Sequence, residues 1–199
     1  MQRSFLKLAL LTAGFTTRMY PLTKNRPKSL LELHGQILIT RLFPKALETG
    51  VIEEAAVVVN ARFKVEFEAW ASHQEFTEEV IANEAQEATE APVALADLGL
   101  LLDQGFRSYT QGPWMVLDGD NLMDFSFFVV VHKQAEKLDQ SLFLVLKIEG
   151  FIPPNRYSEV SLNSNDYIKQ IREKTDNPSS PYSAIGAYLL PPELPLLLS

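Results

Sequence analysis

Apolar and polar positions fall in blocks along the chain, and the period of each block predicts its element. Residues 5–12 are mostly apolar and end at Ala13-Gly14, the pattern of a buried strand running into a turn. Residues 37–47 carry Ile37, Leu38, Leu42 and Ala46 at helical spacing, which predicts a helix that Pro44 bends or splits. Residues 55–59 read as a short strand. Asn60 is placed to cap a following helix in which Phe63, Phe67 and Trp70 fall at i, i+4 and i+7. That aromatic stripe reads as core packing. Further strands are predicted at 80–82, 114–117 and 142–148. Further helices are predicted at 92–102, with Pro92 in the first turn, and at 125–138. Residues 160–162 and 167–171 flank Asn163-Ser164-Asn165-Asp166 and read as a hairpin. A last strand is predicted at 182–190, ended by Pro191-Pro192.

This alternation predicts an α/β fold: a Rossmann-like, mostly parallel (mixed) sheet with helices on both faces. The hairpin is expected as an antiparallel addition at one edge. In such sheets ligands sit beyond the C-terminal ends of the strands. Two predicted strand ends carry unusual chemistry, Ala13-Gly14 onward and Asp118-Gly119-Asp120.

The 199 residues suit a single domain, and 46% hydrophobic content supports a folded core. No cysteine is present, which removes disulfides, thiolate metal sites and cysteine nucleophiles. The net charge of −7 disfavours a general nucleic-acid binder. No apolar run is long enough to span a membrane. The absence of cysteine is compatible with a reducing cytosol, and a cytoplasmic setting is expected. The first 15 residues faintly resemble a signal peptide, but Lys7 interrupts the apolar stretch and a buried first strand explains it better.

Against that acidic background, residues 11–31 concentrate Arg18, Lys24, Arg26 and Lys28, with no carboxylate before Glu32. Backbone N–H groups near Gly14 are suited to phosphate oxygens. Arg18 offers a bidentate fork and Lys28 a point charge. A solvated basic loop explains the composition equally well. Asp118 and Asp120, at i and i+2 on a strand end, would point to one side, and their oxygens suit Mg²⁺. A plain Asp-Gly-Asp-Asn turn is the alternative. His34, His73 and His132 lack metal-ligand spacing and read as surface residues.

The order of residues in 11–31 resembles the signature of sugar-1-phosphate nucleotidyltransferases. There a Leu-x-Gly/Ala-Gly-x-Gly-x-Arg loop precedes Pro-Leu-Thr and Pro-Lys-x-Leu. Leu11, Ala13, Gly14, Arg18, Pro21, Leu22, Thr23, Pro27, Lys28 and Leu30 match. The resemblance covers about residues 5–190. It implies the nucleotide-diphospho-sugar transferase fold and makes Arg18, Lys28 and Asp120 the catalytic residues. Arg18 would grip the β- and γ-phosphates, and Lys28 would neutralise charge near the α-phosphate. Leu11, Ala13, Gly14, Thr17, Thr89 and Gly119 would line the nucleotide. Asp120 would hold Mg²⁺, with Asp118 in support. Glu173 and Lys174 would contact a sugar 1-phosphate, with Tyr157, Ser158 and Gly186 around it.

Four departures accompany the match. Thr16 stands at the last loop glycine, where φ > 0 would strain a β-branched residue. Ser158 and Pro92 stand at glycine-type positions. The family's second metal aspartate has no counterpart, since Glu193 is the only acidic residue after Asp176. The expectation is one nucleotidyltransferase domain over 1–199, lacking the family's C-terminal part, with a homo-oligomer left open. The implied reaction joins an NTP to a sugar 1-phosphate by in-line attack on the α-phosphorus, releasing pyrophosphate. The rivals are an impaired binding or regulatory domain of the same fold and a metal-dependent glycosyltransferase.

Overall fold

The computed structural model describes residues 6–74, 78–90, 94–104, 112–134 and 140–193. The elements in order are β1 (Leu6–Leu11), β2 (Glu32–Leu33), β3 (Gln36–Ile37), α1 (Leu38–Leu47), β4 (Ile52–Asn60), α2 (Lys64–Ala71) and β5 (Glu78–Asn83). There follow α3 (Ala94–Gln104), β6 (Trp114–Asp118), α4 (Phe127–Gln134), β7 (Leu142–Lys147), β8 (Ser158–Leu162), β9 (Ile168–Glu173) and β10 (Tyr182–Leu190). Contacts divide the chain into two units, residues 1–142 with 188–199, and residues 143–187.

In the first unit β1 lies between β4 and β6, and β5 lies outside β4, all parallel. Consecutive residues Leu8, Ala9 and Leu10 of β1 are fully buried, as are Ala56 to Val59 of β4. A parallel strand covered on both faces needs such a continuous apolar run rather than alternation. On one face Ala9, Ala56, Val58, Ile81, Trp114 and Val116 pack with Leu98 and Leu101 of α3. Phe63, Phe67 and Trp70 are buried, so the aromatic stripe is core, and Trp70 meets Phe43 of α1 edge-on at 5.8 Å. Asn60 caps as predicted: its Oδ1 accepts from Phe63 N–H at 3.2 Å. The capped segment opens with a 3-10 turn, Ala61–Phe63, before α2 begins.

Pro44 does not split α1, which runs unbroken from Leu38 to Leu47. Five buried residues, Leu38, Ile39, Leu42, Phe43 and Ala46, hold that helix by packing, which outweighs one missing hydrogen bond. The β2–β3 ribbon was not anticipated; its turn places His34 and Gly35 at positive φ. Pro92 and residues 135–138 of the predicted helices lie outside the described residues.

In the second unit β8 and β9 form the predicted hairpin, antiparallel, with β8 also pairing β10. β7 pairs β10 as well. Among the described residues no helix is long and apolar enough to cross a membrane.

Candidate active site at the ends of β1 and β6

The ladder between β1 and β4 continues one residue past β1. Thr12 N–H and Thr12 Oγ1 both donate to Val58 carbonyl oxygen at 2.8 Å. Asn60 Nδ2 donates to Ala13 carbonyl oxygen at 3.1 Å, so one side chain caps the segment after β4 and fixes the exit of β1. Gly14 is exposed, and a Cβ there would meet nothing within 4 Å. Its glycine is therefore not required by packing; it leaves the backbone open to a ligand.

Thr16 adopts φ 49 and ψ 47, the left-handed conformation that the sequence made costly for it. Buried Thr23 donates to Thr16 carbonyl oxygen at 2.9 Å, and Met19 N–H donates to it at 3.0 Å. The chain then makes a 3-10 turn, Thr17–Met19, and passes a cis Tyr20–Pro21 bond. A second 3-10 turn, Lys28–Leu30, buries Ser29 and Leu30. That burial directs the intervening basic loop back across the sheet end.

Asp118 is the last residue of β6 and pairs with Leu11. Gly119 N–H donates to Leu11 carbonyl oxygen at 2.9 Å. A Cβ on Gly119 would lie 2.4 Å from Thr12 Cγ2, so the turn is packed as closely as glycine permits. Gly119 and Asp120 form a turn, so strand alternation is not what aligns the two aspartates. They share a cleft because the turn folds back over the end of β1.

Lys28 Nζ lies 2.9 Å from Asp120 Oδ2, joining two positions 92 apart in the chain. Both side chains are about one-third exposed, at 28% and 35%, which leaves the pair open to ligands. The surrounding cavity is about 210 Å³ and is lined by residues 11–14, Thr16, Lys28, Ser29, Asp97, Asp118 and Asp120. Leu11, Ala13, Gly14, Lys28, Asp118 and Asp120 are therefore brought together as expected. Gly119 supports the turn from beneath. Arg18 and Thr17 are exposed and outside the lining, as is Thr89 on the 3-10 turn Ala88–Glu90.

Asp97 was missed. It is 5% exposed, and Asn83 Nδ2 donates to its Oδ1 at 2.9 Å. Burial raises its pKa, a shift that the Asn83 hydrogen bond opposes. The readable signal was a single charge within the apolar run of residues 92–102.

In the second unit, the β8–β9 register sets Ser158 opposite Glu173. The Ser158 hydroxyl donates to the Glu173 carboxylate. Lys174 Nζ lies 2.5 Å from Glu173 Oε1, and Lys174 N–H donates to Tyr157 carbonyl oxygen at 3.2 Å. Tyr157, Ser158, Glu173 and Lys174 thus form one group. Gly186 stands on β10 with φ 64, a conformation that favours glycine. Beneath the hairpin, buried Glu159 accepts from Arg172 at 2.7 Å and from Ser179 N–H at 2.8 Å. Burial pushes the Glu159 carboxyl up, but these donors together bring it below its ordinary value.

The nucleotidyl transferase family profile matches residues 7–198. The chain belongs to that family. Among its relatives is the UTP–glucose-1-phosphate uridylyltransferase AglF of Haloferax volcanii, 25% identical over 95% of this chain and 73% of its own length. Another is the mannose-1-phosphate guanylyltransferase catalytic subunit beta of Drosophila melanogaster, 25% identical over 93% of this chain. The chain spans about half of that second relative, 48%. A solved UDP-glucose pyrophosphorylase shares the fold with a TM-score of 0.76 at 17% identity, covering 98% of this chain and 79% of that one. The family assignment agrees with the parallel strands and the β1 loop already described.

The three histidines lie on the surface, as expected. His34 sits in the β2–β3 turn, His73 bonds Ala69 carbonyl oxygen at 2.7 Å, and His132 stacks near Phe128 at 4.2 Å. Among the described residues no three His, Asp or Glu side chains gather into a metal cage.

Proposed function

We propose that this chain transfers a nucleotidyl group from an NTP to a sugar 1-phosphate, with Mg²⁺, releasing pyrophosphate. The observation that carries this is the Lys28–Asp120 pair at 2.9 Å, held where the β1 loop meets the end of β6. A cation and a carboxylate at one open strand end suit a ligand with both phosphate charge and a bound metal. The names of AglF and of the guanylyltransferase support the same reaction class.

Asp118 and Asp120 are oxygen donors in the cleft; Asp97 lines it too, but among the described residues no three acids or histidines group closely enough to hold an ion. That set fits Mg²⁺, which takes one or two carboxylates and keeps sites for phosphate oxygens and water. Asp120 would hold it, with Asp118 in support. When bound, the ion supplies positive charge against the phosphate oxygens.

The remaining work falls to the chain. Lys28 exchanges its bond to Asp120 for α-phosphate oxygens and offsets their charge as the α-phosphorus is attacked. The open backbone at Gly14 receives phosphate oxygens. Arg18, exposed on its 3-10 turn, reaches the terminal phosphates as a two-pronged donor. Within the second unit, Glu173 and Lys174 receive the sugar and its phosphate beside Tyr157 and Ser158. No covalent nucleophile is needed, since positioning and charge neutralisation suffice. The setting we propose is cytoplasmic.

The test is a pyrophosphate-release assay across four NTPs and a panel of sugar 1-phosphates with Mg²⁺. Release that depends on both substrates is expected. NTP binding without release for any sugar 1-phosphate would overturn the reading in favour of a non-catalytic domain.

A further inference from the structure

Asp97 is the one charged residue in the run 92–102, and it lies one helical turn before fully buried Leu101 on α3. A carboxylate in that position costs several kcal/mol unless donors meet it. Asn83 supplies one, at 2.9 Å to Oδ1. The orientation of that amide is fixed, because Asn83 Oδ1 itself accepts from Ala85 N–H at 3.1 Å. No other group among the described residues donates to the Asp97 carboxylate. Asp97 also lines the cleft that contains Gly14 and Lys28.

An ionised carboxylate accepts hydrogen bonds and donates none. It repels phosphate, and it does not gather with Asp118 and Asp120 into a cation cage. Its complement is an uncharged group presenting N–H donors side by side. On the nucleotidyltransferase reading, on which this inference rests, the nucleobase is that group. Uracil and thymine present one N–H between two carbonyl oxygens. Adenine and cytosine present one amino group beside a ring acceptor. Guanine alone presents N1–H and its 2-amino group as adjacent donors matched to a carboxylate.

We infer that Asp97 is the specificity-determining residue of the cleft and that it selects guanine, accepting from N1–H and the 2-amino group while Asn83 holds it in place. Substitution by asparagine keeps the shape and the bond from Asn83. It turns an amino group toward the cleft, so donor would face donor.

The experiment is calorimetric binding of GTP, inosine triphosphate, ATP and UTP with Mg²⁺ to the wild type and to Asp97→Asn, with melting curves as a fold control. A matched pair of hydrogen bonds is worth on the order of tenfold to a hundredfold in discrimination. The wild type is expected to prefer GTP by that factor over UTP, and over inosine triphosphate, which lacks only the 2-amino group. Asp97→Asn is expected to lose the preference, its GTP affinity falling while its UTP and ATP affinities hold or rise, because the new amide donor meets acceptors on those bases. An unchanged base order in Asp97→Asn overturns the inference. So does an equal loss for all four nucleotides, which would place Asp97 on the ribose or in the fold alone. If the variant does not fold, equal wild-type affinity for GTP and inosine triphosphate overturns it. Failure of every nucleotide to bind the wild type is a separate result that sinks the nucleotidyltransferase reading itself.

Discussion

Gly119→Ala is the sharpest perturbation of the site that leaves every charged group in place. The added methyl would sit 2.4 Å from Thr12 Cγ2, whereas ordinary contact begins near 3.4 Å. Thr12 has little room to yield. It is 6% exposed, and its hydroxyl and N–H both bond Val58 carbonyl oxygen at 2.8 Å. Overpacking of this kind costs about 1–3 kcal/mol. For a chain of this size that lowers Tm by roughly 2–4 °C per kcal/mol. Thr12→Ser removes the offending methyl and keeps the hydroxyl, so it should rescue Gly119→Ala. Thermal melts of the wild type, both single variants and the double variant form the assay. The double variant should be more stable than the sum of the singles predicts, by about 1 kcal/mol or more. Strict additivity, or a Gly119→Ala melt within about 1 °C of the wild type, would refute the close-packing argument.

Lys28→Ala and Asp120→Asn should each lower turnover by on the order of 10²–10³, with circular dichroism unchanged; wild-type pyrophosphate release by both would sink the proposed chemistry. Thr16→Gly should stabilise the chain by about 1 kcal/mol, because glycine adopts φ 49 without a Cβ penalty, and a lower Tm would contradict this. Arg172→Ala removes the cation from buried Glu159, which keeps its Ser179 donors, and should cost about 1–3 kcal/mol by denaturant titration. The Glu159 carboxyl is held below its ordinary 4.5, so its contribution is present above that pH and lost as pH falls through the lowered value. Asp97 has the opposite sign: its pKa is raised above 3.8, so stability from this group is lost as pH rises from there through the raised value. The Tm of Asp97→Asn relative to wild type should therefore climb across that window and then level off; a flat difference would contradict it.

The sheet was legible because its strands are written as unbroken apolar runs. β10 was predicted to the residue, and β1 and β4 differ from expectation only at their ends. Lys28 and Asp120 were legible one at a time, each from its local motif. Their bond was not, since it depends on how two loops close over one sheet end. Asp97 escaped because an isolated acid in an apolar helix is read as facing water until tertiary packing places it inside. The β2–β3 ribbon escaped because its strands are two residues each, too short for a period of two to register. The split weighed at Pro44 does not occur, because packing overrides propensity there.

Strand order also governs when the cleft comes into being. β1 is synthesised before its neighbours β4 and β6, which arrive from residue 52 and residue 114 onward. The basic loop beside β1 is complete by residue 31, yet its counter-charge waits for Asp120. Parallel pairing of distant segments is slow, because a long loop must close before any contact rewards it. A nascent chain that has reached β5 therefore carries the phosphate-type loop without its acidic partner. Cation and carboxylate meet only where β6 lies against β1, so the pair depends on a contact between distant parts of the chain.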